Sequence, residues 1–276
     1  MELVRRGMTA SRAMAQEQIE SGNVVVGGAP AFKSSRLVAP EESVVVRQDD
    51  RRFVSRGGEK LEHALREFEI SVAGRRALDA GASTGGFADC LLKHGATEVI
   101  AVDVGHGQLH ERLRTDPRVT VIDRTNIRYL TLADLPFPGA TEVVVADLSF
   151  ISLRVVASVL LDLAVADADV VVLVKPQFEA GRAAVAKGRG VISDLAVWRD
   201  AIVGVREAFA TAGAGMVSVV ASPLLGAEGN AEFLMHLRAG ESSTSRNQLE
   251  LAVDAAIDVA VEKRRKTATH HLIEGG

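Results

Sequence analysis

From Arg76 onward the chain alternates short apolar runs with stretches of helical spacing. Ala77 to Ala80, Glu98 to Asp103, Val119 to Asp123, Glu142 to Asp147, Asp169 to Val174, Met216 to Ala221 and Glu232 to Leu237 have strand length and are rich in Val, Ile and Leu. Gly86 to His94, Leu153 to Ala166 and Asp194 to Ala212 fall between them as helices. This alternation predicts the α/β class, a Rossmann-like doubly wound sheet of seven parallel strands with helices on both faces. Ligands of such a sheet belong at the carboxyl ends of its strands.

The first residues follow a different rhythm. Arg12 to Ser21 reads as a helix stopped by Gly22, and Val24 to Val26 and Ser43 to Val46 read as strands, with a Gly27-Gly28 turn after the first. Two short helices followed by strands make a small α+β unit over residues 1–46. Arg5, Arg6, Arg12, Lys33 and Arg36 give it positive charge, and no acidic residue lies between Gly22 and Pro40. The charged run Arg47 to Arg52 separates this unit from the rest, so residues 47–58 are expected to be an interdomain linker. Beyond them Glu59 to Phe68 places Leu61, Ala64, Leu65 and Phe68 on one helical face. Lys60 sits in its first turn, where a cation opposes the helix dipole by about 0.3–1 kcal/mol.

Composition adds limits rather than direction. The 276 residues are 47% hydrophobic, 25% charged and 4% aromatic, which suits one α/β domain with a small accessory module. A net charge of -4 gives no global basic field, although a local patch can still dominate binding to nucleic acid. The lone Cys90 excludes an internal disulfide framework and fits a reducing cytoplasm. Val155 to Val174 is the longest apolar region, and Asp162, Asp167 and Asp169 interrupt it, so no membrane span is expected. Charges near the N-terminus leave no room there for a secretory leader, and the protein is expected to stay in the cytoplasm. No His, Cys and carboxylate group has metal-ligand spacing, and no obligate protein partner is evident. Trp198, Cys90 and His236 sit in apolar patterns as core residues.

The first strand of the large domain runs into Asp79-Ala80-Gly81-Ala82-Ser83-Thr84-Gly85-Gly86-Phe87, a glycine-rich turn opening a helix. Glycine lets a ligand approach the backbone, and a helix N-terminus favours an anionic group. The run lacks the Gly-Lys-Ser/Thr of a phosphate-binding loop and fails the GxGxxG spacing. Asp103 closes the next strand about 20 residues on, where a carboxylate can hold ribose hydroxyls. Asp123-Arg124-Thr125-Asn126 follows the third strand, and either forms an adenine-side wall through Asn126 or is an ordinary turn. Asp147 and Lys175 close the fourth and fifth strands, Glu232 belongs to the last, and Lys60 leads into the first. A folded sheet could bring these four to one point.

Four resemblances follow from these residues. Ser11, Arg12, Gln18, Ile19, Gly22, Val24, Val26 and Gly28 resemble the alpha-L RNA-binding motif. Asp79, Gly81, Gly85, Gly86 and Asp103 look like the first two motifs of S-adenosylmethionine-dependent methyltransferases. The order Lys60, Asp147, Lys175, Glu232 resembles the catalytic tetrad of FtsJ-like ribose 2′-O-methyltransferases. With Ser55-Arg56-Gly57-Gly58-Glu59-Lys60-Leu61, Ala146-Asp147-Leu148-Ser149-Phe150 and Val174-Lys175-Pro176-Gln177-Phe178-Glu179, the chain is similar to the TlyA family up to about Arg238.

The resemblance implies a methyltransferase domain over 59–240 and a terminal helix with a flexible tail over 241–276. It implies 2′-O-methylation of cytidine in ribosomal RNA (16S, 23S or both), within ribosomal subunits, with S-adenosyl-L-methionine as cofactor. It further implies cofactor contacts from Asp79, Gly81, Ser83, Thr84, Gly85, Gly86, Phe87, Asp103, Asn126 and Asp147, and RNA contacts from Arg5, Arg6, Arg12, Lys33 and Arg36. Methyl transfer needs the hydroxyl aligned and its proton removed or its charge stabilised, and Lys175 suits either role. Asp147 would orient it, while Lys60 and Glu232 would position the ribose, with Lys60 a neighbouring cation able to lower the Lys175 amine. The competing readings are a catalytically idle RNA-binding or ribosome-assembly protein and a cytolysin. The basic run Lys263 to Lys266 could touch RNA phosphates, but reads first as a solvated end.

Overall fold

The computed structural model describes residues 2–9, 11–20, 23–31, 33–46, 52–135, 139–180, 190–226, 229–240 and 244–273, without the side chains of 13, 17, 20 and 268–273. The front unit contains helices α1 (Glu2–Arg5) and α2 (Arg12–Glu20) and strands β1 (Val24–Val26), β2 (Ala29–Pro30) and β3 (Val44–Val46). Its antiparallel sheet has the order β2-β1-β3, with Val24 opposite Val46. The β1–β2 turn is made by Gly27 and Gly28, both at positive φ. A satellite core of Leu3, Ala15, Val24, Val26, Ala31 and Val44 closes beneath it.

Helix α3 (Gly57–Glu67) opens the large domain, followed by β4 (Arg76–Ala80), α4 (Gly86–Lys93), β5 (Glu98–Val102), α5 (Glu111–Arg114) and β6 (Val119–Ile122). Then come β7 (Thr141–Ala146), α6 (Leu153–Asp162), β8 (Ala164–Val174), α7 (Pro176–Glu179), α8 (Leu195–Thr211), β9 (Ala214–Ala221), β10 (Phe233–Ala239) and α9 (Arg246–Ile273). The seven strands form one sheet in the order β6-β5-β4-β7-β8-β10-β9. Alternation along each strand feeds two cores. Val143, Val145, Val171 and Leu173 face α3 and α4, whereas Val144, Ala146, Val170, Val172 and Val174 face α6, α8 and α9. Trp198, Cys90 and His236 are buried, as their apolar surroundings predict.

Three sequence expectations change. First, the sheet is mixed. β10 runs antiparallel to both β8 and β9, because the β9–β10 connection contains no crossover helix and can only form a hairpin. Second, residues 52–58 are not linker. Phe53 is buried in the α3–α4 core, Ser55 is buried beside it, and α3 starts at Gly57, so this stretch belongs to the large domain; 47–51 lie outside the described residues. Third, the end of the chain is helical through Ile273. Leu249, Val253, Ala256, Ile257 and Ala260 pack α9 onto the sheet, and the helix carries the basic run with it instead of releasing it as a tail. Among the described residues no helix is long and apolar enough to cross a membrane.

Candidate active site

The reversal of β10 explains the site. Phe233 pairs with Val174, so the start of β10 lies beside the end of β8 and puts Glu232 next to Lys175's edge of the sheet. Asp147 follows β7, and its N–H donates to Ala80 O at the end of β4. Helix α3 delivers Lys60 from the other side. All four residues line one cavity of about 410 Å³, which also touches Ser55, Arg56, Gly81 to Thr84, Gly86, Phe87, Ser149, Phe150, Gln177 and Phe178. Gln16 of α2 lines it as well, so the front unit reaches the mouth of the site.

The four charges form two pairs. Lys60 Nζ lies 2.6 Å from Glu232 Oε2, and Lys175 Nζ lies 2.5 Å from Asp147 Oδ1. Lys175 also donates to Ser149 Oγ at 3.0 Å and stands over the Phe178 ring at 5.8 Å. Burial disfavours charge on the Lys60 amine, but Glu232 and Asp147 outweigh it and raise its pKa. Burial likewise opposes charge on Asp147, yet Lys175 and Lys60 hold its carboxyl below the usual carboxylate range. Lys60 is therefore a fixed cation shared between two carboxylates rather than a free charge beside Lys175.

A second cavity of about 590 Å³ adjoins the first and shares Gly81, Ser83, Asp147, Ser149 and Phe150 with it. Asp103, Val104, Gln108, Asn126, Ile127 and Leu148 complete much of its wall. Asp103 accepts from Ser83 N at 2.8 Å and Gly105 N at 2.6 Å, which fixes the turn over β5. At Gly81, φ is +85° and a Cβ would come within 2.5 Å of Asp147 O, so only glycine lets the turn and the β7 loop meet there. Helix α4 opens at Gly85–Gly86 with its first N–H groups at this junction.

Comparison with known proteins decides the family. The model of the FtsJ-like methyltransferase family matches residues 53–239. The chain belongs to the FtsJ-like methyltransferase family. It is 48% identical over 258 residues to the 16S/23S rRNA (cytidine-2′-O)-methyltransferase TlyA of Mycobacterium tuberculosis, covering 93% of this chain and 95% of the relative. It is 40% identical to Hemolysin A of Brachyspira hyodysenteriae, over 83% of this chain and 95% of that one. A solved structure with a hemolysin name, from Streptococcus thermophilus, superposes with a TM-score of 0.76 at 33% identity, covering 97% of this chain and 96% of that chain.

Within this methyltransferase fold, Gly81, Ser83, Thr84, Gly86, Phe87, Asp103, Asn126 and Asp147 line one or both cavities. Two sequence-predicted cofactor residues do not. Asp79 is fully buried beneath the turn, where burial and then the Asp147 charge push its carboxyl well above the usual range. Gly85 packs its backbone on Leu109 and Leu113. Asn126 spends its side-chain oxygen on Arg128 N at 3.1 Å. The basic residues divide too. Arg5 and Arg6 pair with Glu2, and Arg6 also donates to Glu42 O, while Arg36 pairs with Glu42 at 2.7 Å, so these hold the front unit together. Arg5, Arg12, Lys33 and Arg36 are all exposed, and Arg6 is half-buried.

The sequence motifs include Ser149, Phe150, Gln177 and Phe178 without giving them a role in the site, and nothing in the sequence singles out Gln16. Phe150 is 93% exposed at positive φ (+66°), and its ring centroid lies 5.2 Å from that of Phe178. A large apolar residue in that conformation at a cavity mouth is the one signal that could have found it, and it exists only in the backbone. Glu179 anchors this loop from behind, accepting from Ser152 Oγ at 2.5 Å and Leu153 N at 2.8 Å. Among the described residues no His, Cys and acidic group could hold a metal ion.

Proposed function

We propose that this protein transfers a methyl group from S-adenosyl-L-methionine to the 2′-hydroxyl of a cytidine in ribosomal RNA. The carrying observation is the pair of opposed ion pairs, Lys60–Glu232 and Lys175–Asp147, lining one cavity at adjacent strand ends. The similarity to a relative named for cytidine 2′-O-methylation supports the choice of substrate.

The residues present suit the cofactor. Asp103 has the position to hold ribose hydroxyls, Val104, Ile127 and Leu148 offer an apolar wall for adenine, and the N-terminus of α4 suits a carboxylate. When bound, the cofactor supplies an electrophilic methyl group on a sulfonium. Asp147, charged and shared between both cavities, favours a cation at their junction. On the substrate side, Lys175 activates the hydroxyl, with Asp147 and Ser149 fixing its amine. Lys60 and Glu232, held by each other, orient the ribose. Phe150 and Phe178 give the base an apolar surface at the mouth. Residues 1–46 serve as the RNA-binding unit, with Arg12 and Lys33 among its exposed cations and Gln16 facing the cavity. A cytoplasmic setting fits this substrate and the lone, buried Cys90.

Incubation with labelled S-adenosylmethionine and small subunits, large subunits or whole ribosomes tests this reading. Label in ribosomal RNA that is lost with Lys175→Ala is the expected result. Cofactor binding without transfer would indicate an idle RNA-binding protein, and absence of transfer together with lysis of red cells in a parallel incubation would indicate a cytolysin.

A further inference from the structure

Glu232 reaches Lys60 from the β9–β10 hairpin loop, and an isolated hairpin loop does not fix a carboxylate to a fraction of an ångström. Its environment does. At Gly226 a Cβ would lie 2.1 Å from Glu232 Oε1, so the loop backbone itself is the wall against which the carboxylate rests. Any drift of this loop moves Glu232. Two sets of contacts hold the loop, and both lead to α9.

The first set starts at Asn230, which is 3% exposed. Its Oδ1 accepts from Ile192 N and its Nδ2 donates to Gly190 O, both at 2.9 Å. The Ile192 carbonyl in turn accepts from Trp198 Nε1 at 3.0 Å and from Arg264 Nη1 at 3.3 Å. The Arg264 guanidinium stands 5.6 Å over the Trp198 ring, and Trp198 packs edge-on against Phe233, the residue after Glu232. The second set is shorter. Lys263 Nζ donates to Ser222 O at 2.5 Å, and Ser222 N donates to Glu232 O at 2.8 Å.

We propose that the C-terminal helix is a brace for Glu232, with Asn230 and Arg264 as positioning residues for methyl transfer. This rests on reading Glu232 as a residue that orients the ribose. Half of the basic run that sequence alone offers to RNA phosphates is turned inward to do this. Misplacement of a positioning group by about 1 Å can cost on the order of 10²-fold in rate. The brace therefore acts on turnover, whereas a phosphate contact would act on RNA affinity and its salt dependence.

The test uses full-length protein carrying Asn230→Ala, Arg264→Ala, Arg264→Lys, Glu232→Gln, or Asn230→Ala with Glu232→Gln. Lys266→Ala serves as a surface control, because that side chain is exposed and pairs with Glu262 on its own helix. Steady-state turnover on ribosomal subunits and calorimetric cofactor affinity are measured for each. Asn230→Ala and Arg264→Ala should lower kcat about 10- to 100-fold, with RNA KM within about twofold and cofactor affinity unchanged. Arg264→Lys should recover part of the loss. The double variant should be no slower than Glu232→Gln alone, since both changes act through one carboxylate. Additive losses, or a raised and salt-sensitive KM at normal kcat, would overturn the brace. A fully active Glu232→Gln enzyme would refute the reading of Glu232 itself and the brace with it. If Asn230→Ala does not fold, the Arg264 pair carries the test.

Discussion

Two aspartates lie at opposite ends of the sheet, Asp169 buried and Asp147 half-buried. Asp169, at the amino end, has both oxygens taken: Oδ1 accepts from His236 Nε2 at 2.8 Å and Arg238 Nε at 2.7 Å, and Oδ2 accepts from Arg75 Nη1 at 2.7 Å. It lines neither of the two cavities at the carboxyl end. Asp147, at the carboxyl end, lies close to Lys175, yet its Oδ1 makes no well-formed hydrogen bond, and two cavities meet at it. Gln177, which lines the first cavity, keeps its Oε1 without one as well. Unmet polar capacity in a buried site costs stability, so its concentration at one end of the sheet marks where a ligand's groups complete the bonding. The difference between the ends is satisfaction, not charge.

The largest effect expected from this contrast is at Lys175. Lys175→Ala should lower kcat by about 10²- to 10⁴-fold in the methyl-transfer assay while cofactor affinity stays intact. Lys175→Arg should be equally slow, because the ion-paired amine must give up its own proton before it can take one from the hydroxyl, and a guanidinium does not release one. Arginine activity within about tenfold of the parent would reassign Lys175 to stabilising the oxyanion.

Next comes Lys60. Lys60→Met leaves the buried Glu232 without its partner, and we expect about a 10- to 100-fold fall in kcat, with a lower melting temperature. Unchanged turnover would remove the pair from the site.

The amino-end cluster should answer differently. Asp169→Asn should cost about 2–4 kcal/mol in urea unfolding near neutral pH without changing kcat. The folded Asp169 carboxyl is depressed, by hydrogen bonds from His236, Arg238 and Arg75 that overcome its burial. Its stabilisation is therefore complete above the ordinary carboxylate range of the unfolded chain and is lost as pH falls through the folded value. The gap between parent and variant should narrow in acid; a gap that widened would reverse the assignment.

Phe150 sits on the boundary of the two behaviours, strained and exposed. Phe150→Gly should stabilise the fold by about 1 kcal/mol by relieving the positive φ, yet raise the RNA KM several-fold. Loss of stability on this change would show that the ring is a packing residue.

Much of this was legible before any coordinates. The glycine turn, Asp103, and the strand-end placements of Asp147 and Lys175 follow from local periodicity, because each lies where a strand-length run meets a turn. Glu232 was legible only by type. Its arrival beside Lys175 depends on a strand that runs backwards, a property of the β9–β10 connection rather than of any residue. Lys263 and Arg264 read as solvated because a basic run on its own carries no signal of the carbonyls it will meet. Arg6 and Arg36 carry the converse lesson: their partners, Glu2 and Glu42, lie outside the Gly22 to Pro40 stretch whose lack of acidic residues makes the unit read as basic. Gln16 needed the docking of that unit, which no spacing encodes.

In this reading the open, incompletely bonded end of the sheet methylates a ribose hydroxyl. The most direct measurement is nucleoside mass spectrometry of ribosomal RNA after reaction with isotopically labelled S-adenosylmethionine. The account predicts label in 2′-O-methylcytidine, absent with Lys175→Ala. Label on a base, on protein, or undiminished with Lys175→Ala would contradict it.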